Sequence, residues 1–449
     1  MWRNKFHISP KKGLLNDPNG LIFYKDEYHV FYQYNPTSCE HKNKHWAHLK
    51  SKNLVDWEEL PIALSPTDWF DKDGCYSGSS IEKDGKLYLI YTGNVKNNGV
   101  RESYQCLAVS EDGVNFKKLG PVIFDKDIPE NYTRHFRDPK ISFDGEKYLL
   151  VLGAQRLDLT GTVIKYSSKD LISWNFEGEI LKENFGYMCE CPDEISFDKD
   201  KALLFCPQGL EAKGILYNNL FQSGYIINGD EKNFCELDRG FEFYAPQTFR
   251  DKDGKNIMFG WVGVAEELKD FPSVAEGWIH NLTLPRKLIL KENKIFQQPH
   301  ENLKFLRKKS IILNNFFLKE RVNLKDYNIL GKTYELIINF ENLNKDFSME
   351  IKSNRDNRTL LEYDYLNKIF TLNRENSGEN LKGVRKCILT TLFKIHIFSD
   401  NSCIEIFLND GEEVFTANIF SEGEEIILNS QNTSISSIEF YEIESVNLK

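Results

Sequence analysis

The sequence predicts an all-β fold, a five-bladed β-propeller followed by a C-terminal β-sandwich. Three observations carry this expectation: a fivefold repeat, a second register of aromatics with the same period, and short alternating runs in the last third. The repeats begin at Asn16 (NDPNGLIFYKDEYHVFYQ), Tyr76, Phe136, Cys189 and Tyr244. Each has a polar or acidic head, a short strand, an acidic turn and an apolar-aromatic strand. The turn residues Asp26, Asp84, Asp144, Asp198 and Asp253 are 58, 60, 54 and 55 positions apart by subtraction. A period of this length, built from strands and turns, suits one propeller blade per repeat.

The second register places Trp57, Phe116, Trp174 and Phe234 four residues after Asn53, Asp112, Asp170 and Asp230. An Asx side chain caps a turn through its own backbone, and the aromatic can then pack between neighbouring blades. This register bears on the fold and not on chemistry.

At 449 residues the chain exceeds the usual single-domain size. Two domains are expected, a propeller over residues 1–303 and a sandwich over 310–449. The stretch Lys304–Lys309, then Asn314–Phe317, reads as a linker or junction. Beyond it, residues 334–340, 360–365, 393–398 and 403–408 read as strands, and Asn409-Asp410-Gly411 as a hairpin turn. No helical stretch of note is expected.

The composition, 41% hydrophobic and 28% charged with a net charge of −10 and no long basic run, argues against a nucleic-acid partner. No signal-peptide pattern is visible at the start, and no run of eighteen apolar residues predicts a membrane span. Nine cysteines at irregular spacing suggest reduced thiols, so a cytoplasmic location is expected. His41, His45 and His48 fit no common zinc spacing, and no metal or other cofactor is expected. The oligomeric state is not readable.

Asp17, Asp138 and Glu190 stand at comparable places in repeats one, three and four. In a radial array such places converge on one cavity. Two facing carboxyl groups can hydrolyse a glycosidic bond, one attacking the anomeric carbon and the other protonating the leaving oxygen. Burial and mutual repulsion separate their pKa values, and a third carboxylate can steady the developing positive charge. Asn16, Gln33, Trp46, Arg137, Gln247 and Trp261 are at hand to read hydroxyls or stack on sugar rings. The partner expected is therefore a small-molecule sugar.

Seven strings in order are similar to glycoside hydrolase family 32, which includes invertases, fructanases and sucrose-6-phosphate hydrolases. They are Asn16–Gly20 (NDPNG), Phe31–Pro36, Trp46–His48, Tyr76–Ser79, Phe136–Pro139 (FRDP), Glu190–Asp193 (ECPD) and Tyr244–Gln247. Ile404–Glu412 resembles the family's sandwich more loosely. The resemblance implies a propeller joined to a sandwich, and retention of configuration through a fructosyl-enzyme ester. It assigns Asp17 as nucleophile, Glu190 as general acid/base and Asp138 as transition-state stabiliser. Asn16, Gln33, Trp46, Tyr76, Ser77 and Arg137 match residues that hold the fructosyl ring. Gly13-Leu14-Leu15 and Trp69–Cys75 look most like the intracellular bacterial sucrose-6-phosphate hydrolases, so Leu14 and Leu15 join the candidate substrate contacts, with Trp261. Cys189 stands where the family usually has Trp, which should shrink one wall of the pocket. Hydrolysis of sucrose 6-phosphate and sucrose is the leading reading. Short fructans are the alternative substrate, and a carbohydrate-binding propeller without catalysis is the alternative class.

Overall fold

The computed structural model describes residues 2–264, 271–379, 381–443 and 445. Those residues form strands joined by turns, with only short 3-10 helices between them. Residues 13–299 build five successive antiparallel sheets of four or five strands. Their first strands are Gly13–Tyr24, Cys75–Lys83, Tyr132–Phe143, Met188–Phe197 and Tyr244–Arg250. Each first strand contacts the next, and the fifth contacts the first. Trp278–Ile279 returns to pair in parallel with Gly13-Leu14, tying the last sheet's connection to the first sheet.

Local chemistry explains these elements. At the hairpin turns Lys25, Asp26, Asp84 and Asp198 take positive φ, as two-residue turns demand, and Asp144 instead accepts the N–H groups of Glu146 and Lys147. The side chains of Asn53, Asp112 and Asp170 each accept backbone N–H groups two and three residues on, as the spacing predicts. Asp230 is different: its side chain binds Asn233, whose backbone N–H meets the Asp230 carbonyl. The aromatics of that register do pack across sheets: Trp57 meets Phe259 of the fifth sheet edge-on, and Phe116 meets Phe31 of the first.

Residues 307–443 hold two six-stranded antiparallel sheets. Leu336, Ile338, Ile406 and Phe440 of one sheet and Met349, Leu361, Phe370 and Leu428 of the other bury their side chains in one shared core. Here the expected linker is corrected. Arg307–Leu318 is a twelve-residue strand paired with Thr433–Ile443 at the edge of its sheet. An edge strand buries few side chains, so its polar composition (RKKSIILNNFFL) hides it. The expected turn at Asn409-Asp410-Gly411 is present. All three residues have positive φ, and a Cβ on Gly411 would lie 1.8 Å from the Gln297 carbonyl oxygen, so this turn can rest on the fifth sheet only with glycine there.

Candidate active site

The first strands of the five sheets share one irregularity. In each, two consecutive residues oppose a single residue of the neighbouring strand: Asn16-Asp17, Tyr76-Ser77, Asp138-Pro139, Cys191-Pro192 and Ala245-Pro246. Such a bulge bends the strand and re-aims its side chains. Asp138, Cys191 and Ala245 each have positive φ, at 64°, 47° and 46°. A left-handed conformation costs a non-glycine residue about 1–2 kcal/mol, and here it recurs at one position in three sheets. Strain of this kind is held in place by its surroundings and clusters at functional sites.

The surroundings are cross-sheet hydrogen bonds. Asn19 accepts from the Gly78 N–H at 3.1 Å, and Gln247 donates to the Gly78 carbonyl at 2.9 Å. Ser79 donates to the Pro139 carbonyl and accepts from the Ile141 N–H. Asp193, the last residue of the ECPD string, is buried and accepts from the Thr248 N–H and hydroxyl, with Lys140 at 3.1 Å. Below the bulges lies a floor cavity of about 10 Å³ lined from all five first strands, including Asn19, Gly78, Asp138, Cys191 and Gln247.

Above it opens a cavity of about 230 Å³ lined by Asp17, Asp138 and Glu190 together. Asp17 accepts from the Ser77 hydroxyl at 2.5 Å and from Asn16 at 3.0 Å. Asn16 in turn donates to Gln33, and Gln33 donates to Ser77. Glu190 accepts from Arg137 at 2.9 and 2.8 Å, from Gln208 at 2.8 Å and from the Tyr244 hydroxyl at 2.7 Å. Asp138 accepts from the Cys191 N–H at 3.1 Å, and the Cys191 Sγ lies 3.8 Å from Asp138 and 3.9 Å from Asp17.

Burial raises the Asp17 carboxyl above its usual range, against the Ser77 and Asn16 hydrogen bonds that favour its charged form. Asp138 is pushed up to about 7, by burial first and then by the Glu190 charge, with Arg137 opposing. Near neutral pH the cluster therefore shares a proton at Asp138, beside Asp17, whose charged form Ser77 and Asn16 support.

Of the expected substrate residues, Asn16, Gln33, Tyr76, Arg137 and Trp261 line this cavity. Ser77 lines the floor cavity and reaches the site through Asp17. Leu14, Leu15 and Trp46 do not reach it. All three are fully buried: Leu14 beside Phe271 and Phe420, Leu15 beside Tyr32 and Trp261, and Trp46 beside Phe31 and Tyr91, with its indole N–H on the Tyr76 carbonyl. The expectation for Cys189 is likewise corrected. Its side chain lies in a core with Val151, Val163 and Phe205, facing away from the cavity, so the cysteine shrinks no pocket wall.

Sequence reasoning missed His41, Gln208, Phe221 and Tyr244 as lining residues; Lys44 and Arg101, which the sequence offers among many cations as candidate phosphate contacts without a choice between them, line the cavity as well. His41 stacks on Trp261 at 6.0 Å and 13°. Its neighbours in the histidine run diverge: His48 bonds His29 inside the first sheet, and His45 bonds the Asn43 carbonyl. Lys44 is buried and donates to Asn16, and burial lowers its ammonium to about 7 despite Asp17 nearby.

The family described as glycosyl hydrolases family 32 N-terminal domain matches residues 7–299, and its C-terminal counterpart matches residues 302–442. The chain is 41% identical over 436 residues to a sucrose-6-phosphate hydrolase of Bacillus subtilis, covering 93% of this chain and 89% of that one. It is 38% identical to a Staphylococcus xylosus sucrose-6-phosphate hydrolase, with 94% and 88% covered. Among solved structures, a sucrose-6-phosphate hydrolase from Lactobacillus gasseri superposes with a TM-score of 0.89 at 31% identity, covering 99% and 94%. A Bombyx mori GH32 beta-fructofuranosidase mutant in complex with sucrose gives 0.88 at 33%, again covering 99% and 94%.

Proposed function

The chain belongs to glycosyl hydrolase family 32, and on that premise we propose that it is a retaining β-fructofuranosidase acting on sucrose 6-phosphate and sucrose. The observation that carries this reading is the meeting of Asp17, Asp138 and Glu190 in one cavity, each held by a different set of donors.

In this reading Asp17, oriented by Ser77 and Asn16, attacks the anomeric carbon of the fructosyl unit. Glu190 gives a proton to the glycosidic oxygen and later takes one from the water that cleaves the fructosyl ester. Asp138 grips ring hydroxyls and steadies the oxocarbenium-like transition state. Asn16, Gln33, Tyr76 and Arg137 read hydroxyls, and Trp261 supplies an apolar wall. No step calls for a cofactor.

The five sheets are the blades of a propeller over residues 1–303, a reading supported by the contact of each first strand with the next and of the fifth with the first. The two six-stranded sheets form a sandwich over 310–449, of which residues 380, 444 and 446–449 lie outside the described set. A cytoplasmic location fits a phosphorylated sugar, which as an anion does not cross membranes unaided, and fits nine cysteines that are all free. Among the described residues no helix is long and apolar enough to cross a membrane.

The test is a substrate panel of sucrose, sucrose 6-phosphate and kestose, with NMR observation of the first-formed fructose. Initial release of the β-anomer supports double displacement. The inverted anomer overturns it, and preference for kestose moves the substrate to fructans.

A further inference from the structure

Three cations line the cavity: Lys44, Arg101 and Arg137. Arg137 is paired with Glu190. Among the described residues no carboxylate lies within 4.0 Å of Lys44 or Arg101. Two unpaired cations in a sugar pocket call for an account, because partial burial of a charge is costly without a counter-ion.

Their positions differ in a way that the reaction makes meaningful. Displacement at an anomeric carbon is in line, so the attacking Asp17 and the departing oxygen lie on opposite faces of the fructosyl ring. In the mechanism proposed above, Glu190 protonates the departing oxygen. Lys44 donates to Asn16 and feels the charge of Asp17, which puts it on the attacking side. Arg101 is the second residue of the strand Val100–Ser110, half-buried, with its guanidinium 5.8 Å from the centre of the Tyr76 ring. That strand packs on Tyr132–Phe143, with Ser103 donating to the Arg134 carbonyl and Gln105 to the Phe136 carbonyl, and Arg137 of the latter strand holds Glu190. Arg101 therefore stands with the acid, on the side where the leaving group emerges.

We propose that Arg101 is the residue that recognises the phosphate monoester on the leaving sugar, and that it sets the preference for phosphorylated over plain substrate. This rests on the β-fructofuranosidase reading above and adds to it the group that reads the phosphate. A guanidinium is suited to the task because its planar fork matches phosphate oxygens two at a time. The Tyr76 ring supports its face by cation–π attraction. The phosphate also relieves the mutual repulsion of Arg101 and Arg137, since it brings nearly two negative charges at neutral pH. Lys44 is left the separate task of holding Asn16 and Asp17 in register.

The test compares kcat/KM for sucrose 6-phosphate and for sucrose in the wild type, Arg101→Ala, Arg101→Lys and Lys44→Met. One or two charge-assisted hydrogen bonds correspond to a loss of about 10- to 100-fold, so the ratio of the two constants should fall by that factor in Arg101→Ala, chiefly through KM. Arg101→Lys should recover part of it. Glucose 6-phosphate should inhibit the wild type more strongly than glucose does, and Arg101→Ala should erase the difference. An equal loss on both substrates, or a ratio that collapses in Lys44→Met and not in Arg101→Ala, overturns the proposal. A wild type that cleaves sucrose without favouring its 6-phosphate also overturns it while sparing the enzyme class. A wild type that cleaves neither sinks the underlying function instead.

Discussion

His7 and Asp400 stand 393 residues apart in sequence, yet the His7 Nδ1 lies 2.9 Å from the Asp400 carboxylate. The same carboxylate accepts the backbone N–H groups of Lys5, Phe6 and His7. The other ring nitrogen of His7 lies 3.0 Å from Glu405, whose second oxygen accepts from Arg286, and Arg286 also donates to Asp238. These five side chains are buried and bind the start of the chain, the fifth sheet and the last third into one unit.

The network makes stability depend on pH. Burial opposes a charge on His7, but Cys403, Asp400 and Glu405 together outweigh it and raise the imidazole well above its usual value. A raised value in the folded state means that its contribution is complete below about pH 6.5 and is lost as pH climbs through the folded value. His7→Gln should lose about 3 kcal/mol at pH 6, since breaking a buried pair leaves its partners uncompensated. Its melting temperature should then fall less than the wild type's between pH 7 and 10. Parallel melting curves across that range would refute the assignment.

Asp17→Asn and Glu190→Gln should each lower kcat by at least about 1,000-fold while substrate still binds, because each removes a group that acts on the reacting atoms. Calorimetric binding of sucrose 6-phosphate to the inactive variants separates loss of chemistry from loss of the pocket. Either variant turning over at a tenth of the wild-type rate contradicts its role.

Ser77→Ala removes the 2.5 Å hydrogen bond that favours the charged form of Asp17. The Asp17 carboxyl should then rise further, and the acid limb of the kcat/KM profile should move up by about half to one pH unit. An unmoved acid limb would show that this limb reports another group.

Asp138, at about 7 in the fold, carries the opposite message for stability. Its raised value means that ionisation above pH 7 costs folding energy, by burial and by the Glu190 charge. Asp138→Asn should therefore melt several degrees higher than wild type at pH 8, with the gap closing as pH falls towards 4, and should be nearly inactive. A constant gap at all pH values would trace the effect to packing instead. Such a trade of stability for activity is common at catalytic sites.

The fold was legible because turns and periodicity are local. Asp26, Asp84 and Asp198 mark hairpins by their own backbone preferences, and the aromatics after the Asx turns mark the spacing between sheets. The direction of side chains near the heads was not. In regular strands alternation would settle which residues face the cavity, but the bulges at Asn16-Asp17, Tyr76-Ser77 and their counterparts reset it. So the strings locate the three carboxyls, while Leu14, Leu15 and Trp46, close by in sequence, turn into the core. Tyr244, which heads the fifth repeat, and Gln208 reach Glu190 from other strands, one of them in another sheet, and the repeat pattern does not say which acid either one meets. The strand Arg307–Leu318 escaped notice because most of its side chains face solvent.

The floor beneath the three acids leaves space for about one water molecule, too little for any sugar to pass. A sugar gripped by Asp17, Asp138 and Glu190 thus cannot leave through that gap, and the cavity of about 230 Å³ is where it has room.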